Sequence, residues 1–158
     1  MNFSTAFEKL LGHEGSYSNH KDDPGGETMW GVTKKVAVEN GYLGEMRSMP
    51  QAVAMAIYRS EYWDAVQAEN LPADLRYIVF DAAVNSGVVQ AVRWLQRACG
   101  AVDDGVIGPQ TIRLANSLST DGIKRKMLAQ RLRFMASLKT WPTFGKGWAN
   151  RIADLLET

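Results

Sequence analysis

The densest run of reactive side chains lies between residues 13 and 33, HEGSYSNHKDDPGGETMWGVT, which holds both histidines, four acidic residues and Pro24-Gly25-Gly26. Three kinds of chemistry suit such a mixture. His13, Glu14, His20, Asp22 and Asp23 are metal-ligand types, yet they lack the HExxH or equivalent spacing that puts two ligands on one helix face; a cluster of polar loop residues is the better reading, and no metal is expected. A phosphate loop fits less well, because Gly25-Gly26 is followed by no lysine and opens no convincing helix. Paired carboxylates fare better. A general acid at neutral pH needs a raised carboxyl pKa, and the negative end of a helix dipole disfavours the ionised form. Glu14 is expected there. Asp23 precedes Pro24, which pushes it toward extended backbone at the lip of a turn, and a hairpin returns it opposite the helix end. Thr28 can orient a water or hold a carboxylate. A glutamic acid, an opposed carboxylate and a positioned hydroxyl suit glycosidic hydrolysis. The same residues also read as ordinary surface, since a glutamate after a helix is often solvated and an aspartate before proline often only shapes a turn.

The elements that must position this stretch are mostly helical. Phe3, Phe7, Leu10 and Leu11 recur at helical spacing, so residues 3 to 13 read as an amphipathic helix that stops at Gly15. Helical period is lost from Ser16 to Thr33, where Pro24-Gly25-Gly26 is a strong turn signal and a small hairpin fits. Further helices begin near Pro50 (Val53, Ile57, Tyr58), at Leu75 to Ala82, at Val89 to Leu95 and after Gly108-Pro109. Ile123 to Leu138 make a long helix closed by Pro142. Phe144, Trp148, Ile152 and Leu156, at strict four-residue spacing, make the last. The fold class is therefore α+β, mainly helical, with one small N-terminal β element and about seven or eight helices.

With 158 residues, 46% of them hydrophobic, the chain can bury a substantial core. A net charge of +1, from 18 basic and 17 acidic residues, gives no general case for binding nucleic acid or an anionic membrane. One cysteine, Cys99, excludes an intramolecular disulfide and reads as a small buried hydrophobe. No segment has the roughly 18 continuous apolar residues of a membrane span, and the start MNFSTAFEKLLGHEG does not read as a secretory signal. Synthesis in the cytoplasm is expected.

Three segments, Glu14-Gly15-Ser16-Tyr17, Asp23-Pro24-Gly25-Gly26-Glu27-Thr28 and Gly31-Val32-Thr33, together resemble the E-G-G-Y…D-x-G-G-x-T-x-x-G-I-T signature of glycoside hydrolase family 108. These are lysozyme-like N-acetylmuramidases found as phage and prophage endolysins. Ser16 and Val32 depart from the signature without removing a proton-transfer group. The resemblance implies that Glu14 is catalytic and, in the D-x-G-G register, favours Asp23 over Asp22 as second carboxylate. The wider phage-type lysozymes have a similar glutamate, aspartate, threonine triad with one more residue before the threonine, so Thr33 stands as a substitute for Thr28.

Downstream, YRSEYW (58–63) and FDAAVNSG (80–87) look like later family segments, with Asp81, Asn85 and Gly87 matching. DDGVIGPQT (103–111) resembles the D-G-x-I-G-P-x-T motif of a peptidoglycan-binding segment. A turn before a proline-started helix suits it better than a calcium loop, since the closing glutamate of an EF-hand is missing. The implied organisation is a lysozyme-like catalytic part over 1–87 and a helical peptidoglycan-binding-type segment over 88–158, packed into one compact domain.

The implied activity is cleavage of the β-1,4 bond between N-acetylmuramic acid and N-acetylglucosamine, with no cofactor, peptidoglycan glycan strands as partner and a holin-like route to the wall. Tyr17, Trp30, Thr33, Arg59 and Asn85 are the candidate substrate contacts. Arg59 reads equally as a salt-bridge partner and Asn85 as a satisfied buried amide. Trp94 and Trp148 read as core. The competing class is a non-catalytic glycan- or protein-binding module on the same scaffold; a peptidase lacks a credible nucleophile or metal set.

Overall fold

The computed structural model describes residues 1–12, 15–21 and 25–158; positions 13, 14 and 22–24 lie outside the described residues. Among the described residues the chain is α+β and mainly helical, with eight α-helices and a two-stranded antiparallel sheet, as the periodicity predicts. It divides into two compact units, residues 1–64 and 65–158.

In the first unit, helix α1 (Phe3–Leu11) is opened by the Asn2 side chain, which accepts from the Thr5 N–H at 3.0 Å and satisfies one of the donors a helix start leaves unpaired. Its Phe3, Ala6 and Phe7 are buried. Helix α3 (Gln51–Tyr58) continues into a π-turn over Arg59–Trp63, closed by the Asp64 N–H donating to the Arg59 carbonyl at 2.8 Å. An aromatic cluster joins these elements: Phe7 meets Tyr58 edge-on at 5.3 Å between centroids, and Phe3 meets Trp63 at 5.5 Å. Phe7 and Trp63 are fully buried, and burial of side chains this size stabilises by roughly 1.5–3 kcal/mol each.

The hairpin consists of β1 (Thr28–Met29) and β2 (Val32–Thr33), with Thr28 opposite Thr33 and Met29 opposite Val32. Its tight turn is Trp30-Gly31, both at positive φ (53° and 74°), the geometry whose twist matches paired strands. Of the Pro24-Gly25-Gly26 turn signal, Pro24 lies outside the described residues, and Gly25-Gly26 precede β1. Ser18 and Thr28, on either side of that tripeptide in the sequence, form an antiparallel bridge, with both backbone N–H groups donating across at 2.9 and 2.8 Å. Helix α2 (Lys34–Glu39) follows directly, capped by the Thr33 hydroxyl, which accepts from the Val36 N–H at 3.3 Å.

The second unit is built from α4 (Ala73–Ser86), α5 (Val88–Cys99), α6 (Pro109–Ser117), α7 (Thr120–Ala136) and α8 (Trp141–Leu156). Helix α4 is enclosed on nearly all sides, with Leu75 and every residue from Tyr77 to Ala83 buried. Gly87 joins it to α5, and α7 packs against α4, α5, α6 and α8.

Two expectations about the last helices need correction. Pro142 does not close α7, which ends at Ala136; it sits in the first turn of α8, where its missing N–H has no intrahelical partner to lose. The buried face of α8 is not the 144/148/152/156 row, since Phe144 and Leu156 are each more than half exposed while Gly145, Ile152 and Leu155 are buried. Strict four-residue steps overshoot the 3.6-residue turn by about 40° each, so the ends of such a row roll off the face its middle occupies.

The DDGVIGPQT segment is organised by buried Gln96 on α5. Its amide nitrogen donates to Asp104 Oδ1, the Val106 carbonyl and the Thr111 hydroxyl at 2.9, 3.0 and 3.3 Å, and its oxygen accepts from the Gly105 N–H at 2.9 Å. Asp103 is paired with Arg97 at 2.6 Å. That guanidinium holds the Asp103 carboxyl below its ordinary range, as the Val106 N–H and Gln96 do for Asp104. The loop is the expected turn into a proline-started helix, and its polar groups are spent on the fold.

Burial also sets the alkaline limit. It pushes the Tyr58 phenol up to about 12, with a smaller contribution from Tyr62, and the Tyr77 phenol to about 12, with a smaller contribution from Asp81. The Cys99 thiol rises to about 11 for the same reason. In the unfolded chain these groups shed protons from their ordinary values, so the folded state binds more protons above about pH 9 and stability falls with rising pH. Stability from these groups is expected to be complete below about pH 9 and lost as pH climbs through 11 to 12. Urea unfolding across pH 8 to 12 checks this, and a midpoint that does not fall above pH 10 would contradict it.

Candidate active site

The expected carboxylates Glu14 and Asp23, with Asp22, lie outside the described residues; residues near them in the sequence are described. Helix α1 ends earlier than its periodicity suggests, at Leu11, because Gly12 takes φ +56° and its N–H closes on the Glu8 carbonyl at 3.0 Å. Glycine alone enters that region freely. Gly12 and Gly15, which bracket His13 and Glu14 in sequence, both line a hollow of about 290 Å³ shared with Glu8, Ser16, Trp30 and Gln51. Glu8 and Gln51 are additions from the structure. Nothing in the sequence marked either residue.

Trp30 is the organising side chain of this hollow. Its indole N–H donates to the Met49 carbonyl at 2.8 Å, and its own carbonyl accepts from the Tyr58 hydroxyl at 3.2 Å. A Cβ placed on Gly15 would fall 2.6 Å from two atoms of the Trp30 ring, so this glycine is required by lack of space. With the ring anchored at its nitrogen, Gly15→Ala is expected to displace it and to cost about 1–3 kcal/mol. A change in tryptophan emission together with a lowered unfolding midpoint checks this. An unchanged spectrum and midpoint would show that the ring has room to move.

The other predicted contacts of the first unit have definite partners. Tyr17 donates to Glu27 at 3.1 Å and lies under the Arg47 guanidinium, 4.5 Å from the ring centroid. Arg59 sits 3.7 Å from Asp64 and over the Phe3 ring, the salt-bridge arrangement foreseen as one of its two readings. Thr33 serves as the cap of α2. The Thr28 hydroxyl makes no side-chain hydrogen bond among the described residues. Cross-strand partners project to the same face of a ladder, so the hydroxyls of Ser18, Thr28 and Thr33 form one row across bridge and hairpin.

Asn85 belongs to the second unit, in the last turn of α4, where its amide donates to the Asp81 carbonyl at 2.8 Å. Beside it lies an ionic cluster that sequence reasoning missed. Fully buried Asp81 accepts from Arg131 Nη1 at 2.6 Å and from Arg151 through Nε, at 3.0 and 3.2 Å, and through Nη2. Signals for it existed. Arg131 occupies the apolar register of α7 set by Met127, Leu128 and Met135, and Asp81 is enclosed by buried neighbours on α4. A charge in such a register requires a buried partner. Trp94 is core, as expected, whereas Trp148 is only partly covered and lines a pocket.

The match to known proteins decides the family. The model of glycosyl hydrolase 108 matches residues 7–87, just over half of the chain, from within α1 to the glycine after α4. The chain belongs to the glycosyl hydrolase 108 family. This agrees with the resemblance read from the signature residues, all of which fall inside the matched region. The chain is also similar to a solved structure described as "Structure of Brucella abortus SagA", at 33% identity over 98% of this chain and 91% of that one, with a TM-score of 0.87. No curated protein matches it. Membership and shared architecture make this family 108 chain a glycoside hydrolase with a lysozyme-like fold, a peptidoglycan hydrolase of the lysozyme type. No helix among the described residues is long and apolar enough to cross a membrane.

Proposed function

We propose that the chain is an endolysin-like N-acetylmuramidase that hydrolyses the β-1,4 bond between N-acetylmuramic acid and N-acetylglucosamine. The supporting observation is the hollow lined by the two glycines on either side of Glu14, inside the family-matched region. Glu14 donates a proton to the leaving glycosidic oxygen. Asp23 acts on the opposite side, either as base toward a water or by stabilising the oxocarbenium-like transition state. Thr28, whose hydroxyl bonds no other side chain among the described residues, helps hold that water. Ser18 and Thr33 extend the row with hydroxyls suited to sugar.

Fragment analysis of digested peptidoglycan tests the reading. Reducing muramic acid ends are expected; new free amines would identify a peptidase, and no release would identify a binding module. Asp22→Asn and Asp23→Asn, made separately, test the second carboxylate. Only Asp23→Asn is expected to lower the release of reducing ends, by roughly a hundredfold. Equal losses in both variants would remove the assignment.

A further inference from the structure

The second unit contains a pocket of about 520 Å³ between the end of α4, α7 and α8. Its polar wall is Arg131, Arg151 and Asn85, and its apolar wall includes Trp148, Phe134 and Leu138. No acidic side chain is among the described residues lining it; the Asp81 carboxylate is held behind the two guanidiniums. Arg131 is 2% exposed, and its Nε is a buried donor with no acceptor among the described residues. A buried charged donor left without an acceptor is costly, and native interiors seldom leave one unmet. Arg151, although bonded to Asp81, keeps 37% of its side-chain surface exposed.

Guanidiniums offer N–H groups in a planar fork that matches a carboxylate, and an indole beside a phenyl ring offers a surface for a small apolar body. We propose that this pocket binds the carboxylate of a small peptidoglycan fragment, with the acid group on the Arg131–Arg151 wall and the apolar part against Trp148 and Phe134. The choice of peptidoglycan as the source rests on the proposed function; the preference for a carboxylate rests on the pocket alone. Two chemistries in that polymer supply such a group, the terminal carboxyl of a stem peptide and the lactyl carboxyl of muramic acid.

Binding to the intact chain, followed by titration calorimetry and by amide and indole NMR shifts, tests this. The probes are N-acetyl-D-alanyl-D-alanine and N-acetylmuramic acid, each beside its carboxamide, with N-acetylglucosamine as neutral control. At least one acid is expected to bind about tenfold or more tightly than its amide and to shift the Trp148 indole signal. Whichever acid does so identifies the source. Ser86→Asp places a negative charge on the lining at a residue that is not core and is expected to weaken that binding by about tenfold while leaving the unfolding midpoint near that of the parent; Phe134→Glu, which also removes a ring packed edge-on against buried Trp94, is expected to weaken binding at least as much and to lower the midpoint.

Equal binding of acid and amide, no binding of either acid at millimolar concentration, or unchanged binding in both folded variants would overturn the proposal. Digestion of polymer by the same preparations separates the two readings. Release of reducing ends without acid binding defeats the pocket alone, and acid binding without release of reducing ends defeats the muramidase reading alone.

Discussion

Glu14→Gln is expected to leave a folded protein whose release of reducing ends from peptidoglycan is slower by at least about a hundredfold. Glutamine keeps the size of the side chain and much of its hydrogen-bonding capacity, so substrate binding is little affected. It has no proton to give a departing sugar oxygen. General acid catalysis is worth about a hundred- to ten-thousandfold in rate, which makes this the largest single loss expected on the muramidase reading. Stability should change little, because glutamine is nearly isosteric with glutamate. Parallel reducing-end assays and thermal melts check both halves. Near-parent lysis by a folded Glu14→Gln protein would remove Glu14 from the mechanism.

Asp81→Ala is expected to be the most damaging substitution for stability, costing about 3–5 kcal/mol. For a chain of this size that lowers the melting temperature by about 6–20 °C. The reason is the stranded cations. Asp81 accepts from two guanidiniums, and Arg131 is almost wholly enclosed. Asp81→Asn, which keeps one acceptor oxygen, should fall between the parent and Asp81→Ala. The combination Asp81→Leu with Arg131→Met should recover part of the loss, since it removes the buried pair together and Arg151 can turn to water. Urea unfolding of the series checks the order. A cost for Asp81→Ala below about 1 kcal/mol would show the cluster to be energetically idle.

Much of this fold was legible because long apolar periods leave little choice. Helices α1, α3, α4, α5, α6 and α7 all lie where Phe, Leu, Ile and Val recur at helical spacing, and Pro109 opens α6 as its position implies. The errors came where a local signal has two uses. A proline after a helix can end it or begin the next, and Pro142 begins α8. The small strands expected between Ser16 and Thr33 are joined by Trp30-Gly31, where a tryptophan at positive φ is announced by no turn signal in the sequence.

Trp30 was chosen from its type and place as a sugar platform; what the sequence did not carry was the long-range bond to Met49 that anchors its nitrogen. The partners of Asp81 were hidden for the same reason. Arg131 and Arg151 lie 50 and 70 residues away, and periodicity shows that a buried charge needs an answer without saying which residue supplies it.

The Ser18–Thr28 bridge has a consequence for comparing relatives of different loop length. Two backbone bonds pin both ends of the intervening segment, so a residue inserted or deleted inside it changes the loop's contour while the base stays in register. Loop closure becomes more costly only slowly with length, so such changes are cheap. Aligning such chains by ladder position, rather than by counting from the glutamate, keeps equivalent hydroxyls together, and the segment between the pinned ends is the natural place to vary length in engineered forms.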